Sequence, residues 1–210
     1  MSLNKIYETV VFITFLYSIY LLIYRKKSRQ QFYLYIYLFT VLLIDILPVN
    51  FPQLIKTSRN LLFTTYIIFS IIYFGFVYHQ NITARNFRIL NCIILSVLVI
   101  INFWNFRYFS ILQISFIPMI SLPMSFIYLS ISWYIFKLKN VNESKITEDL
   151  IFWISSGILI WSVFFIFRAI PMYFLQENDP ELLSLVITAF SIINIITYLL
   201  FLIGLIRIKI

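Results

Sequence analysis

The chain is 210 residues long, 62% hydrophobic and only 11% charged, with a mean hydropathy of +0.95. A water-soluble domain averages roughly 45–50% apolar and about 25% charged residues, so composition excludes a soluble globular domain. The net charge of +8 does not signal nucleic acid, because the sixteen Lys and Arg are scattered between apolar runs and not gathered on one face.

A membrane crossing needs about 20 mainly apolar residues to span roughly 30 Å of hydrocarbon. Seven stretches meet that requirement, at about 6–24, 32–50, 61–79, 89–106, 111–136, 149–175 and 182–206. The predicted fold class is therefore all-α: an integral membrane bundle of seven transmembrane helices, forming a single domain over residues 1–210. The first stretch follows a short polar start, lacks a small-residue cleavage site and is longer than a signal peptide's apolar region of about 7–15 residues. It is expected to be retained.

The loop after the first stretch carries Arg25, Lys26, Lys27 and Arg29. The second stretch holds Asp45 ahead of Pro48. Next comes Pro52-Gln53 with Lys56 and Arg59, which resembles the signature of PQ-loop sugar and amino-acid carriers. In that family the dipeptide bends a helix near a cytoplasmic end and recurs in a second half; here no second Pro-Gln exists and the loop falls on the outer side. The third stretch ends at the only histidine, His79, and the fourth contains the only cysteine, Cys92, which has no partner for an intrachain disulfide. Asn102 and Asn105 lie one turn apart near the far end of the fourth. Pro118 and Pro123 bend the fifth, since a mid-helix proline frees a backbone carbonyl.

The sixth stretch carries Trp161 at mid-depth and Arg168 towards its end. After the acidic run Glu177, Asp179 and Glu181, the seventh presents Ser184, Thr188, Ser191 and Asn194 at spacings of four, three and three, which places them on one helical face. That face is expected to turn from lipid into the bundle. The seventh stretch has no lysine, which excludes a retinal Schiff base of the kind that seven-helix retinal proteins use. The chain stops four residues past the last stretch, so no effector domain is expected to be attached.

Lys and Arg alternate between sides. Arg25 to Arg29, Arg85, Arg88, Lys137, Lys139, Lys145, Arg207 and Lys209 fall on one side; only Lys5, Lys56, Arg59 and Arg107 fall on the other. Positive residues mark the cytoplasmic face, which predicts the N-terminus outside and the C-terminus cytoplasmic. Trp104, Trp133 and Trp153 sit near stretch ends, as an interfacial belt would. The patterns Asn81-Ile-Thr83 and Asn142-Glu-Ser144 fit glycosylation acceptors but fall on the predicted cytoplasmic side.

A charged residue at a helix centre costs about 2.5–3.5 kcal/mol on insertion scales. Asp45 and Arg168 carry that cost, both in the predicted outer half, where a pair between them would offset much of it; the alternative is that Arg168 snorkels and Asp45 caps a turn. With Asn102, Trp161, Ser184 and Thr188 they outline an outward-opening polar pocket, and these six are the candidate ligand-binding residues. The competing reading makes the Ser, Thr and Asn interhelical contacts. No catalytic residue, cofactor or metal site is predicted: one histidine and one cysteine on different stretches do not compose a zinc site, and Ser155 and Ser156 lack a histidine at matching depth. Gly occurs three times without a small-xxx-small pattern, so close backbone dimerisation is not signalled.

The run Phe152-Trp153-Ile-Ser-Ser-Gly157-Ile-Leu-Ile-Trp161, following Glu148-Asp149, resembles a segment of uncharacterised seven-span bacterial membrane proteins associated with two-component sensor kinases. The resemblance covers the sixth stretch, and elsewhere only the hydropathy pattern. It implies a sensory or accessory part without its own output domain, in a bacterial inner membrane. The expected function is a non-enzymatic sensory or accessory membrane protein that takes a small apolar or amphipathic signal, or senses the bilayer, and acts through a partner in trans. Its partners would be the lipid bilayer and a sensor kinase or other signalling protein, with the basic loops meeting anionic lipid or that partner. The alternatives are a small secondary transporter with Asp45 as coupling-ion site and, less well supplied with acid–base groups, a lipid-modifying membrane enzyme.

Overall fold

A computed structural model describes residues 3–25, 30–46, 59–108, 116–140, 145–169, 175–176 and 178–208; for residues 45, 59–61, 106–108 and 116 it describes the helical backbone alone. The described residues form helices and turns and no strand. In chain order the helices are α1 (Leu3–Ile23), α2 (Leu34–Val41), α3 (Arg59–Asn81), α4 (Arg85–Tyr108), α5 (Phe116–Lys139), α6 (Leu150–Ala169) and α7 (Pro180–Arg207). A π-helical turn, Leu42–Ile46, continues α2, and a 3-10 turn, Ile146–Glu148, precedes α6.

Six of these helices are long and apolar enough to cross a membrane, which is compatible with an integral membrane protein. Helices suit such a chain because each satisfies its own backbone hydrogen bonds where no water is available. At 28 residues, α7 spans about 42 Å, more than the hydrocarbon layer alone. α2 is the exception. Its described helical path ends at Ile46, shorter than the expected 32–50, and residues 47–50 lie outside the described set together with Pro48 and Pro52-Gln53.

The chain divides into two compact units. The first takes residues 1–31 and 144–210 and contains α1, α6 and α7; the second takes residues 32–143 and contains α2 to α5.

In the first unit α7 packs against both α6 and α1. Ile154 and Ile158 of α6 and Phe190, Phe201 and Leu205 of α7 are buried, as is Val11 of α1. Two glycines permit this packing. A Cβ on Gly204 would stand 2.7 Å from Leu150 Cδ1 and 2.9 Å from Trp153 Cβ, and one on Gly157 would stand 3.1 Å from Phe201 Cε1 and 3.3 Å from the Thr197 carbonyl. The sequence shows no Gly-xxx-Gly pattern because the two small positions sit on different helices. On the other side of α7, the Thr14 hydroxyl donates to the Tyr198 carbonyl at 3.4 Å and Tyr7 meets the Tyr198 ring edge-on at 5.6 Å. Past the end of α1 the chain returns to it: Gln31, fully buried, accepts from the Ser18 hydroxyl and donates through Nε2 to the Ser18 carbonyl at 3.1 Å.

In the second unit α3, α4 and α5 pack pairwise on one another, and α2 lies on α3. The core is aromatic. Tyr37 of α2 stacks on Tyr73 of α3 (5.2 Å, 15°), Phe74 meets both edge-on, and Phe126 of α5 closes on Phe74 at 4.8 Å. Aromatic pairs in these geometries contribute about 0.5–1.5 kcal/mol each beyond their burial. α2 begins from two residues in the left-handed region, Phe32 (φ 51°) and Tyr33 (φ 57°). Non-glycine residues there carry roughly 1–2 kcal/mol of strain each. The Tyr73 hydroxyl, donating to the Phe32 carbonyl at 3.1 Å, holds that turn in place.

Candidate functional site between α6 and α7

The site is built on two helix faces in the first unit. α7 starts sharply: Asp179 accepts from the Leu182 amide at 2.9 Å, and Pro180 occupies the first helical position. α6 is anchored at its start by the Trp153 indole, which donates to the Thr147 carbonyl at 2.9 Å. Trp161, Phe165 and Arg168 then recur at spacings of four and three on α6, and Phe190 and Asn194 at four on α7, so each set shares a face.

Those faces meet in a cluster of rings and polar groups. Trp161 and Phe165 stack at 4.8 Å with 23° between planes. Phe190, buried, lies 5.9 Å from Trp161 and edge-on to Phe165 at 5.7 Å. The Arg168 guanidinium carbon sits 4.8 Å from the Phe190 ring centroid, within the range where a cation is drawn to a ring's negative face. The Trp161 indole N–H donates to Asn194 Oδ1 at 2.8 Å. A guanidinium, an amide and an apolar ring wall on adjoining turns suit an amphipathic molecule with an acidic or carbonyl head. The cluster therefore presents a guanidinium donor, an amide and apolar rings within two adjoining helix faces.

Of the six residues predicted for a pocket, Trp161 and Arg168 come together here. Ser184 and Thr188 are exposed on α7, and the Thr188 hydroxyl donates back to the Ser184 carbonyl at 2.9 Å. Ser191 does the same to Ile187 at 3.0 Å. Asn102 belongs to the second unit. It is fully buried, where its Nδ2 donates to the Ser121 hydroxyl and to the Leu98 carbonyl, both at 2.8 Å. That contact ties α4 to α5, as does the Tyr128 hydroxyl donating to Asn91 Oδ1 at 2.8 Å. The Asp45 side chain lies outside the described residues, and the expected Asp45–Arg168 pair with it.

Phe165 and Phe190 escaped the sequence reading because one phenylalanine out of 23 carries no local mark. Their spacing to Arg168 and Asn194 was the available signal. Among the described residues no three His, Cys, Asp or Glu side chains gather into a metal-binding group. Asn81 uses its amide on the Val77 carbonyl at 2.7 Å, while Asn142 lies outside the described residues. No protein-family model, curated protein or solved structure matches the chain.

Proposed function

We propose that this chain is a non-enzymatic sensory or accessory protein of a bacterial cytoplasmic membrane, crossing it seven times with its N-terminus outside. It takes an amphipathic signal at the α6–α7 cluster and passes a change in helix packing to a signalling partner in trans, such as a sensor kinase. The observation that carries this reading is the Arg168 guanidinium lying over the Phe190 ring, beside the Trp161–Asn194 hydrogen bond. These contacts join α6 to α7, so a ligand that competes for the guanidinium or the indole alters how the two helices pack. The alternation of Lys and Arg between loops supports the orientation.

Crosslinking in native membranes, followed by identification of what is captured, tests it. Recovery of a signalling protein from the native chain, and its loss from the Arg168→Gln variant, is the expected result. Transport or turnover by the isolated chain in liposomes, with no signalling protein recovered, would reverse the reading.

A second reading has one observation in its favour. The backbone around Asp45 forms a π-helical turn, Leu42–Ile46, and π turns inside helices concentrate at functional sites. A small secondary transporter with Asp45 as its coupling-ion site would use such a turn. Substrate uptake into proteoliposomes that Asp45→Asn abolishes is the outcome favouring it.

A further inference from the structure

We infer that the α3–α4 turn end of the second unit binds the phosphate of an anionic phospholipid. Three helix ends meet there. The Arg88 guanidinium of α4 donates to His79 Nε2 of α3 through Nε at 3.2 Å. The Lys139 ammonium of α5 lies 5.8 Å over the Phe87 ring of α4. These two contacts place Arg88, His79 and Lys139 on one rim, with Arg85 one turn before Arg88 on α4 and Lys137 in the last turn of α5. Residues 76–90 and 131–140, which make up these helix ends, include His79, Arg85, Arg88, Lys137 and Lys139 and no Asp or Glu. Arg85 and Lys139 are exposed.

Exposed apolar side chains begin directly beside these cations: Ile89, Leu90 and Ile93 on α4, Ile135 and Leu138 on α5. Cations bordering an open apolar surface match a molecule with a phosphate head and acyl chains, and that juxtaposition selects a lipid over a free anion.

This inference rests on the membrane-embedded part of the reading above and not on the α6–α7 cluster. Native mass spectrometry of the full chain in detergent, with added phosphatidylglycerol, phosphatidylcholine or inorganic phosphate, tests it. The expected result is retention of phosphatidylglycerol in preference to phosphatidylcholine, with no displacement by inorganic phosphate at the same concentration. Retention should fall about fivefold for each cation removed, hence about 25-fold in Arg85→Gln/Arg88→Gln. Lys5→Gln, which removes a charge from α1, should leave retention unchanged, and Arg85→Lys/Arg88→Lys should keep most of it even if the glutamine variant folds poorly. Equal retention of the two lipids, displacement by free phosphate, or equal losses in the Lys5 and Arg85/Arg88 variants would overturn the assignment. Release of the native chain from membranes by alkaline carbonate would instead sink the membrane reading itself.

Discussion

The Trp161 indole and the Asn194 amide are joined by a 2.8 Å hydrogen bond between α6 and α7, two helices that also approach closely at Gly157 and Gly204. Buried hydrogen bonds between membrane helices average about 0.6 kcal/mol and reach about 1.7. Trp161→Phe and Asn194→Leu should each lower the unfolding free energy in detergent by about 1 kcal/mol. The double variant should lose less than the sum, because either change already breaks the bond. Purely additive losses would show that the pair contributes nothing as a pair.

Arg168 and Phe190 form the second link across the same helices. A partly desolvated cation over an aromatic face is worth about 0.5–2 kcal/mol. Phe190→Leu keeps the apolar volume and loses the ring's negative face, so it should destabilise the native chain more than it destabilises an Arg168→Gln background. Thermal unfolding in detergent reads this coupling, and equal effects in both backgrounds would remove the cation–ring contact from the account.

Glycine substitutions separate backbone approach from mere side-chain crowding. Gly204→Ala would place its Cβ 2.9 Å from the Trp153 Cβ, which cannot move without its helix. Overpacking of this sort costs about 1–3 kcal/mol, and the loss should appear as a lowered melting temperature. Gly75→Ala meets the Leu95 Cδ1 at 2.7 Å, the far end of a flexible side chain, and should be nearly neutral. A larger loss at Gly75 than at Gly204 would contradict the packing described for α6 and α7.

Cys92 is the only cysteine and is exposed on α4, two turns in from Arg85. If lipid covers that face, a membrane-permeant maleimide should label it in intact membranes, whereas a charged methanethiosulfonate should label it at least about tenfold more slowly, since a charged reagent is excluded from hydrocarbon. Equal rates would put Cys92 in contact with water.

Much of the architecture was legible without coordinates. Long runs of Ile, Leu, Phe and Val reveal helices wherever no water is present to satisfy a strand edge or loop, and the structure has a helix within each of the seven expected stretches. Helix punctuation was not read: Asp179, which caps α7 ahead of Pro180, entered the sequence reading only as part of an acidic run before the seventh stretch. The candidate site was readable only in part. Trp161 and Arg168 stood out because polar or indole-bearing groups are rare in apolar stretches, and both belong to the cluster. Ser184 and Thr188 stood out for the same reason, yet their exposed face of α7 lets the Thr188 hydroxyl bond back within its own helix.

Composition and periodicity by themselves determined that the chain is helical and compatible with lipid as its solvent, because the hydrophobic length of each run is a local property. Which helices pair was decided by tertiary structure alone: α7 with α1 and α6, and α3 with α4 and α5. In helices apolar on every side no stripe marks the contact face. Partner choice then depends on where a missing Cβ, as at Gly157 or Gly204, or a reachable amide, as at Asn102 or Asn194, finds its complement on another helix.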